Sequence, residues 1–132
     1  MTPKFRAWTE EGKVMYYDVY PFKDDTLLLS YDEIAFDEVP ASDFILMQYT
    51  GLKDKKGEEI FEDDIVKFSE CDDDVYVTPA VWDKNYACFG VSFTGKYPIS
   101  FDYLEEFYTE LKDIEVVGNI YENPELVGGR IK

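Results

Sequence analysis

Gln48-Tyr49-Thr50-Gly51-Leu52-Lys53-Asp54-Lys55-Lys56-Gly57-Glu58-Glu59-Ile60-Phe61-Glu62-Asp63-Asp64-Ile65-Val66 is the stretch whose reading decides the fold. Thr50-Gly51 and Lys56-Gly57 are turn signals, and Tyr49, Leu52, Ile60, Phe61, Ile65 and Val66 are anchors that hold those turns on a sheet. The chain therefore reverses twice in a short span. Gly51 and Gly57 stand alone, with no helix signal behind either, so they are turn glycines and not a phosphate-cradling loop. The polar edge of the stretch, Lys53, Asp54, Lys55 and Lys56, is the one basic spot on an acidic molecule. It is the first place to look for contact with a second copy of the chain or with an acidic partner.

Outward from this stretch the pattern stays β. Phe44 to Tyr49 reads as a buried strand entering it, and Ile65-Val66-Lys67-Phe68 alternates inward and outward on leaving it. Val75 to Trp82 and Tyr86 to Phe93 form a hairpin, with Pro79 marking an edge or a bulge. Lys4 to Trp8 and Lys13 to Tyr20 form an N-terminal hairpin across Thr9-Glu10-Glu11-Gly12. In its first arm Phe5 and Ala7 face one way and Lys4, Arg6 and Trp8 the other, which leaves Trp8 to cover a second surface. The run Thr26 to Tyr31 is leucine-rich, but its length between turn signals favours a strand over a helix. Asp32 to Asp43 has no clear period and reads as an exposed connector.

Helical spacing appears once, where Phe101, Leu104, Phe107, Tyr108 and Leu111 follow the candidate N-cap Ser100; the spacing predicts a short amphipathic helix near 101–110. Ile114 to Val117 supplies a closing strand and Asn123-Pro124 a capped turn. Short strands joined by short turns point to a small barrel. The fold class is thus mostly β, α+β at most. The domain reading is an N-terminal hairpin subdomain with acidic connector over 1–43 and a small β-barrel domain with the short helix over 44–132.

The chain has 132 residues, the length of one ordinary domain, and its aromatic share of 17%, from eleven Tyr, ten Phe and two Trp, favours half-buried pleated surfaces. Net charge is −16, from 29 acidic and 13 basic residues, so a phosphate backbone is repelled and direct nucleic-acid binding is disfavoured. No apolar run approaches membrane-spanning length and no secretory segment opens the chain, which predicts a soluble, cytoplasmic protein with free thiols at Cys71 and Cys88.

Catalytic constellations are missing. The sequence contains no His, which removes the commonest general base and the commonest transition-metal ligand. Two cysteines alone do not make a structural zinc site. Asp24-Asp25, Asp63-Asp64 and Asp72-Asp73-Asp74 fall in predicted loops, where water keeps every carboxylate ionised and no acid/base pair is tuned apart. The acidic triple lacks the spacing of a calcium loop. No catalytic residue, cofactor or metal is expected. Exposed Tyr and Trp are favoured anchors of protein interfaces, so protein contact is the expected activity.

Three blocks carry a family resemblance. Lys4-Phe5-Arg6-Ala7-Trp8 with Met15-Tyr16, then Leu46 to Phe61 running into Asp64-Ile65-Val66-Lys67, and finally Val116 to Leu126 together resemble the YopX family, encoded by phages and prophages. Tyr49, Thr50, Gly51, Leu52, Gly57, Asp64, Gly118, Asn119, Tyr121, Asn123 and Pro124 are the signature positions, and they read as structural. Where this chain has Asp63 the family usually has Gly; Asp tolerates positive φ at small cost, so the turn survives. The resemblance implies an intracellular phage protein without catalytic residues, whose central and terminal blocks share a small SH3-like barrel. The expected function is that of a non-enzymatic accessory protein in the bacterial host cytoplasm. It would act through a protein partner, host-encoded proteins being among the candidates, and through self-association as a homo-oligomer, with Trp8, Lys53, Asp54, Lys55 and Lys56 as the candidate surface. The alternative is an acidic DNA mimic that inhibits a host nucleic-acid-binding protein.

Overall fold

A computed structural model describes residues 4–32, 34–69, 75–83, 88–91, 99–100 and 114–126. They are mostly β, in antiparallel sheets, and divide into two compact units, Met1–Tyr49 and Thr50–Lys132. The predicted helix near 101–110, Cys71 and the Asp72-Asp73-Asp74 run lie outside the described residues.

In the first unit, β1 (Phe5–Thr9) lies between β2 (Val14–Tyr16) and the first half of β6 (Ile45–Lys53), antiparallel to both. A three-stranded sheet, β3 (Val19–Pro21), β4 (Thr26–Ser30) and β5 (Phe36–Pro40), completes it. The core gathers Ala7, Val19, Leu27 and Leu29, flanked by Phe5, Tyr16, Val39, Ala41, Phe44 and Leu46, so all six strands contribute. The arm read as Lys13 to Tyr20 is broken at Tyr17-Asp18, where the chain leaves β2 and enters β3. The break is fixed by the Asp18 carbonyl, which accepts the Ser30 N–H at 3.0 Å and commits the following residues to a different sheet. The Asp32 to Asp43 segment, read as a connector, carries β5 and a single 3₁₀ turn at Ala41–Asp43. Alternation is hidden there because β5 is exposed along almost its whole length, with only Val39 partly buried against Leu27.

In the second unit the far half of β6 pairs with β7 (Glu59–Phe61), and a five-stranded sheet runs β11-β10-β9-β8-β12. These strands are β8 (Asp64–Ser69), β9 (Val75–Asp83), β10 (Cys88–Val91), β11 (Ile99–Ser100) and β12 (Glu115–Asn119). Ile60, Val66, Phe68, Ala80, Val91 and Ile114 form the core, with Leu52, Tyr76, Phe89 and Val116 packed on it. Pro79 lies on an interior strand, not an edge. The Ala80 carbonyl accepts the Asp63 N–H at 2.7 Å, so the Pro79 backbone nitrogen points to the opposite side, past Val91↔Ala80, the last described pair with β10. The missing N–H therefore breaks no described ladder bond.

Candidate interaction surfaces

The polar edge of the focal turn is a closed knot. Between β6 and β7 the chain turns through Asp54 to Glu58: the Asp54 N–H donates to the Glu58 carbonyl at 2.8 Å and the Gly57 N–H to the Asp54 carbonyl at 3.0 Å. Gly57 adopts φ +85 in this turn, whereas Gly51, expected to turn the chain with Thr50, lies at φ +90 inside β6, which continues through both residues as a strand; both glycines occupy the left-handed region that side chains disfavour. Asp54 is 6% exposed, and its Oδ1 accepts the N–H groups of Lys56 (2.8 Å) and Glu58 (2.9 Å) while Oδ2 accepts that of Val116 (2.9 Å). Burial pushes its carboxyl up, but the backbone donors at Val116, Glu58 and Lys56 together outweigh burial and hold it below the ordinary carboxylate value. Asp54 is a strut between the turn and β12, not a contact residue.

The lysines around it are exposed. Lys56 Nζ lies 2.6 Å and Lys55 Nζ 3.6 Å from the Glu115 carboxylate. The Lys56 hydrogen bond raises the lysine and lowers Glu115, each away from its ordinary value. The basic spot is therefore partly neutralised by β12, and Lys53 extends from the exposed end of β6.

A second knot joins the central and terminal signature blocks. Asp63, in the turn between β7 and β8, has φ +67, as its place in a family glycine position requires. Its carboxylate accepts the Tyr121 hydroxyl at 2.7 Å and its carbonyl the Ile120 N–H at 3.0 Å. Asp64, 2% exposed, accepts the Phe61 N–H at 2.8 Å. Asn119 sits opposite Asp64 in the β12–β8 register, and its Oδ1 accepts the N–H groups of Tyr121 and Glu122 at 3.0 and 2.9 Å. Asn123 closes the loop by accepting the Asn119 N–H through Oδ1. A side chain at Gly118 would place Cβ 2.5 Å from that Oδ1, so the bulge between Val116 and Gly118 admits only glycine without movement. Pro124 opens the 3₁₀ turn at 124–126. Thr50 caps the edge of this unit, its hydroxyl donating to the Ile60 carbonyl at 2.7 Å while Leu52 packs on the core. Tyr49 belongs to the first unit: its N–H donates to the Lys4 carbonyl at 2.8 Å, and Lys4 Nζ lies 5.9 Å from its ring centre.

Trp8 does not stand on the surface. It is 2% exposed, and its indole N–H donates to Glu10 Oε2 at 2.7 Å. The sequence assigns it correctly to the face opposite Ala7, but β1 is an interior strand and residues 6 to 8 are buried on both faces. Arg6, on the same face, is also 2% exposed and directs Nε at the Met47 sulfur, 3.4 Å away.

Most exposed aromatics among the described residues lie elsewhere in the first unit; in the second, Trp82 is 46% exposed and meets the Phe89 ring edge-on at 4.8 Å. On the outer face of the three-stranded sheet Tyr20 pairs with Leu28, and Leu28 with Glu38; Phe36, two residues before Glu38, shares that face. The Tyr20 and Phe36 ring centres are 5.9 Å apart, and Tyr20, Phe22 and Phe36 are each close to half exposed. Lys23 bridges the patch, 5.6 Å from the Phe22 ring centre and 3.7 Å from Glu38. Tyr17, Tyr31 and Ile34 are further exposed apolar side chains of this unit. Tyr20, Phe22 and Phe36 carry no local signal in the sequence, because β5 is exposed along almost its whole length and shows no alternation.

Among the described residues no cluster of three or more acidic or Cys side chains is arranged to hold a metal, and no helix is long and apolar enough to cross a membrane. No match was found among curated proteins. Two solved structures resemble the chain over nearly its full length. Protein EF1440 from Enterococcus faecalis is 26% identical with a TM-score of 0.69, covering 96% of this chain and 99% of its own. Protein yopX from Bacillus subtilis is 26% identical with a TM-score of 0.61, covering 93% and 96%. The family model described as YopX protein matches residues 4–128, the span that contains both knots and the exposed aromatic sheet. The chain belongs to the YopX family.

Proposed function

We propose that this protein is a non-enzymatic accessory factor of phage or prophage origin, acting in the cytoplasm of a bacterial host through contact with another protein and through self-association. The observation that carries this reading is the outer face of the β3-β4-β5 sheet, where Tyr20, Phe22 and Phe36 stay substantially exposed around Leu28. Large aromatic surface left in water costs free energy in the monomer and is recovered when a partner covers it. Aromatic rings with few rotatable bonds are also the commonest energetic anchors of protein interfaces.

The second proposed contact region is the turn bearing Lys53, Lys55 and Lys56, whose charge suits the acidic surface of a second copy. The exposed acids of this unit, among them Asp24, Asp25 and, on the aromatic face, Glu38, favour one further reading, in which the acidic surface imitates a phosphate backbone.

The test compares the full chain with a Tyr20→Ser/Phe36→Thr variant in light scattering and in capture from bacterial lysate. The proposal expects oligomers or a captured protein for the parent chain and their loss in the variant. Monomer throughout, with no protein captured, would sink it. Capture released by DNA and weakening steeply with salt would favour the mimic, whereas capture indifferent to both favours the aromatic contact.

A further inference from the structure

One cavity of the first unit is lined by chemistry that its fold does not use. The hairpin from β1 to β2, the start of β6 and the end of β5 surround an open groove of about 350 Å³, at the lower end of the range for ligand sites. Three of its walls are aromatic. The Tyr16 ring meets Tyr31 edge-on, with centres 5.3 Å apart and planes at 89°, and meets Phe44 at 6.2 Å and 72°. Glu11 and Asp43, both exposed, give the lining its two acids, and among the described residues no Lys or Arg contributes to it. The nearby Lys13 ammonium is engaged by Glu10, 3.2 Å away.

We propose that this groove receives an arginine side chain from a basic segment of a partner protein. This deepens the protein-contact reading above and rests on it. The negative face of an aromatic ring attracts a cation, whereas its edge does not, and Tyr31, 60% exposed, leaves ring surface open at the groove. Carboxylates at the rim supply charge-assisted hydrogen bonds. An anionic ligand would meet two carboxylates and no compensating base. Arginine fits better than lysine because a planar guanidinium stacks on a ring while donating in a fork to a carboxylate. The net charge of −16 draws such a segment in from a distance.

The experiment is a titration of the ¹⁵N-labelled full chain, followed by nuclear magnetic resonance, with acetyl-Gly-Arg-Gly-amide and with the same peptide carrying neutral citrulline. The arginine peptide should shift the Gly12 and Phe44 amides saturably, and citrulline should bind at least about tenfold more weakly. Tyr31→Ala should weaken arginine binding roughly two- to fivefold, and Asp43→Asn should weaken it in the same direction, both with unchanged thermal unfolding. Equal shifts by the two peptides, shifts confined to residues away from the groove, or indifference to Tyr31→Ala would overturn the assignment. Spermidine binding more tightly than the peptide would overturn it in favour of a small polyamine. Failure here with lysate capture still dependent on Tyr20 and Phe36 would remove the groove and leave the protein-contact function standing.

Discussion

The two units put their unusual residues to opposite uses. In the second, acidic and amide side chains are turned inward and consumed: Asp54, Asp64 and Asn119 are almost fully buried, and their oxygens accept backbone N–H groups of turns. In the first, aromatic side chains are turned outward, with Tyr20, Phe22, Tyr31 and Phe36 left substantially in water. A carboxylate that accepts three backbone donors repays its burial, because the donors would otherwise be orphaned beside it. An exposed ring repays nothing within its own fold. The difference teaches that the blocks carrying the family resemblance include the buried struts that tie the second unit's turns together, while the exposed aromatics Tyr20, Phe22, Tyr31 and Phe36 lie outside those blocks.

The comparison is most easily broken at Asp54. Asp54→Ala strands the N–H groups of Lys56, Glu58 and Val116, and the expected loss is about 3 kcal/mol of unfolding free energy in a denaturant titration. A loss under about 1 kcal/mol would show that water replaces the strut and that the knot is ornamental. Next comes Gly118→Ala, which drives Cβ against the Asn123 amide and should cost about 2 kcal/mol; restoration by Asn123→Gly in the double variant would trace the cost to that clash.

A pH series sharpens the same contrast. The Asp54 carboxyl is held below its unfolded value, near 3.9, so its contribution is complete above that pH and is lost as pH falls through the lower folded value. The acid limb of the stability curve should therefore be shallower in Asp54→Asn than in the parent chain. Parallel limbs would mean that the carboxylate is no better solvated in the fold than in the unfolded chain. A smaller effect is expected at Asp63→Gly, where relief of the positive φ offsets the lost Tyr121 hydrogen bond and leaves stability within about 1 kcal/mol of the parent. The smallest belongs to the outward side of the comparison: Phe36→Thr should change stability by no more than about 0.5 kcal/mol while impairing partner capture. If Phe36→Thr destabilises as much as Asp54→Ala, the aromatic face is structural and the contrast collapses.

Local chemistry was legible where a residue's own backbone demanded it. Gly57 and Asp63 sit at positive φ in turns, as their residue types allow, whereas Gly51 keeps its positive φ inside β6 and not in the turn expected of it. The strands at 5–9, 26–30, 75–83 and 115–119, and the part of 45–53 up to Tyr49, follow from alternation and β-branched or aromatic content. The break at Tyr17-Asp18, the strand β5 and the burial of Trp8 were not legible, because each depends on a neighbour supplied from far along the chain. Alternation assigns Trp8 to a face but not whether that face is covered. In the same way a basic spot at Lys55 and Lys56 looks open in the sequence until Glu115 arrives on β12.

The sequence by itself thus determined the β class, the turn at Lys56-Gly57 and the family, since these rest on dihedral preference, period-two patterning and residue identity at fixed spacing. Only the tertiary structure decided which acids are struts, which aromatics face water and which residues meet around the groove of Tyr16, Tyr31 and Phe44. Burial and charge pairing are properties of residues brought together across the chain, and no local pattern encodes them.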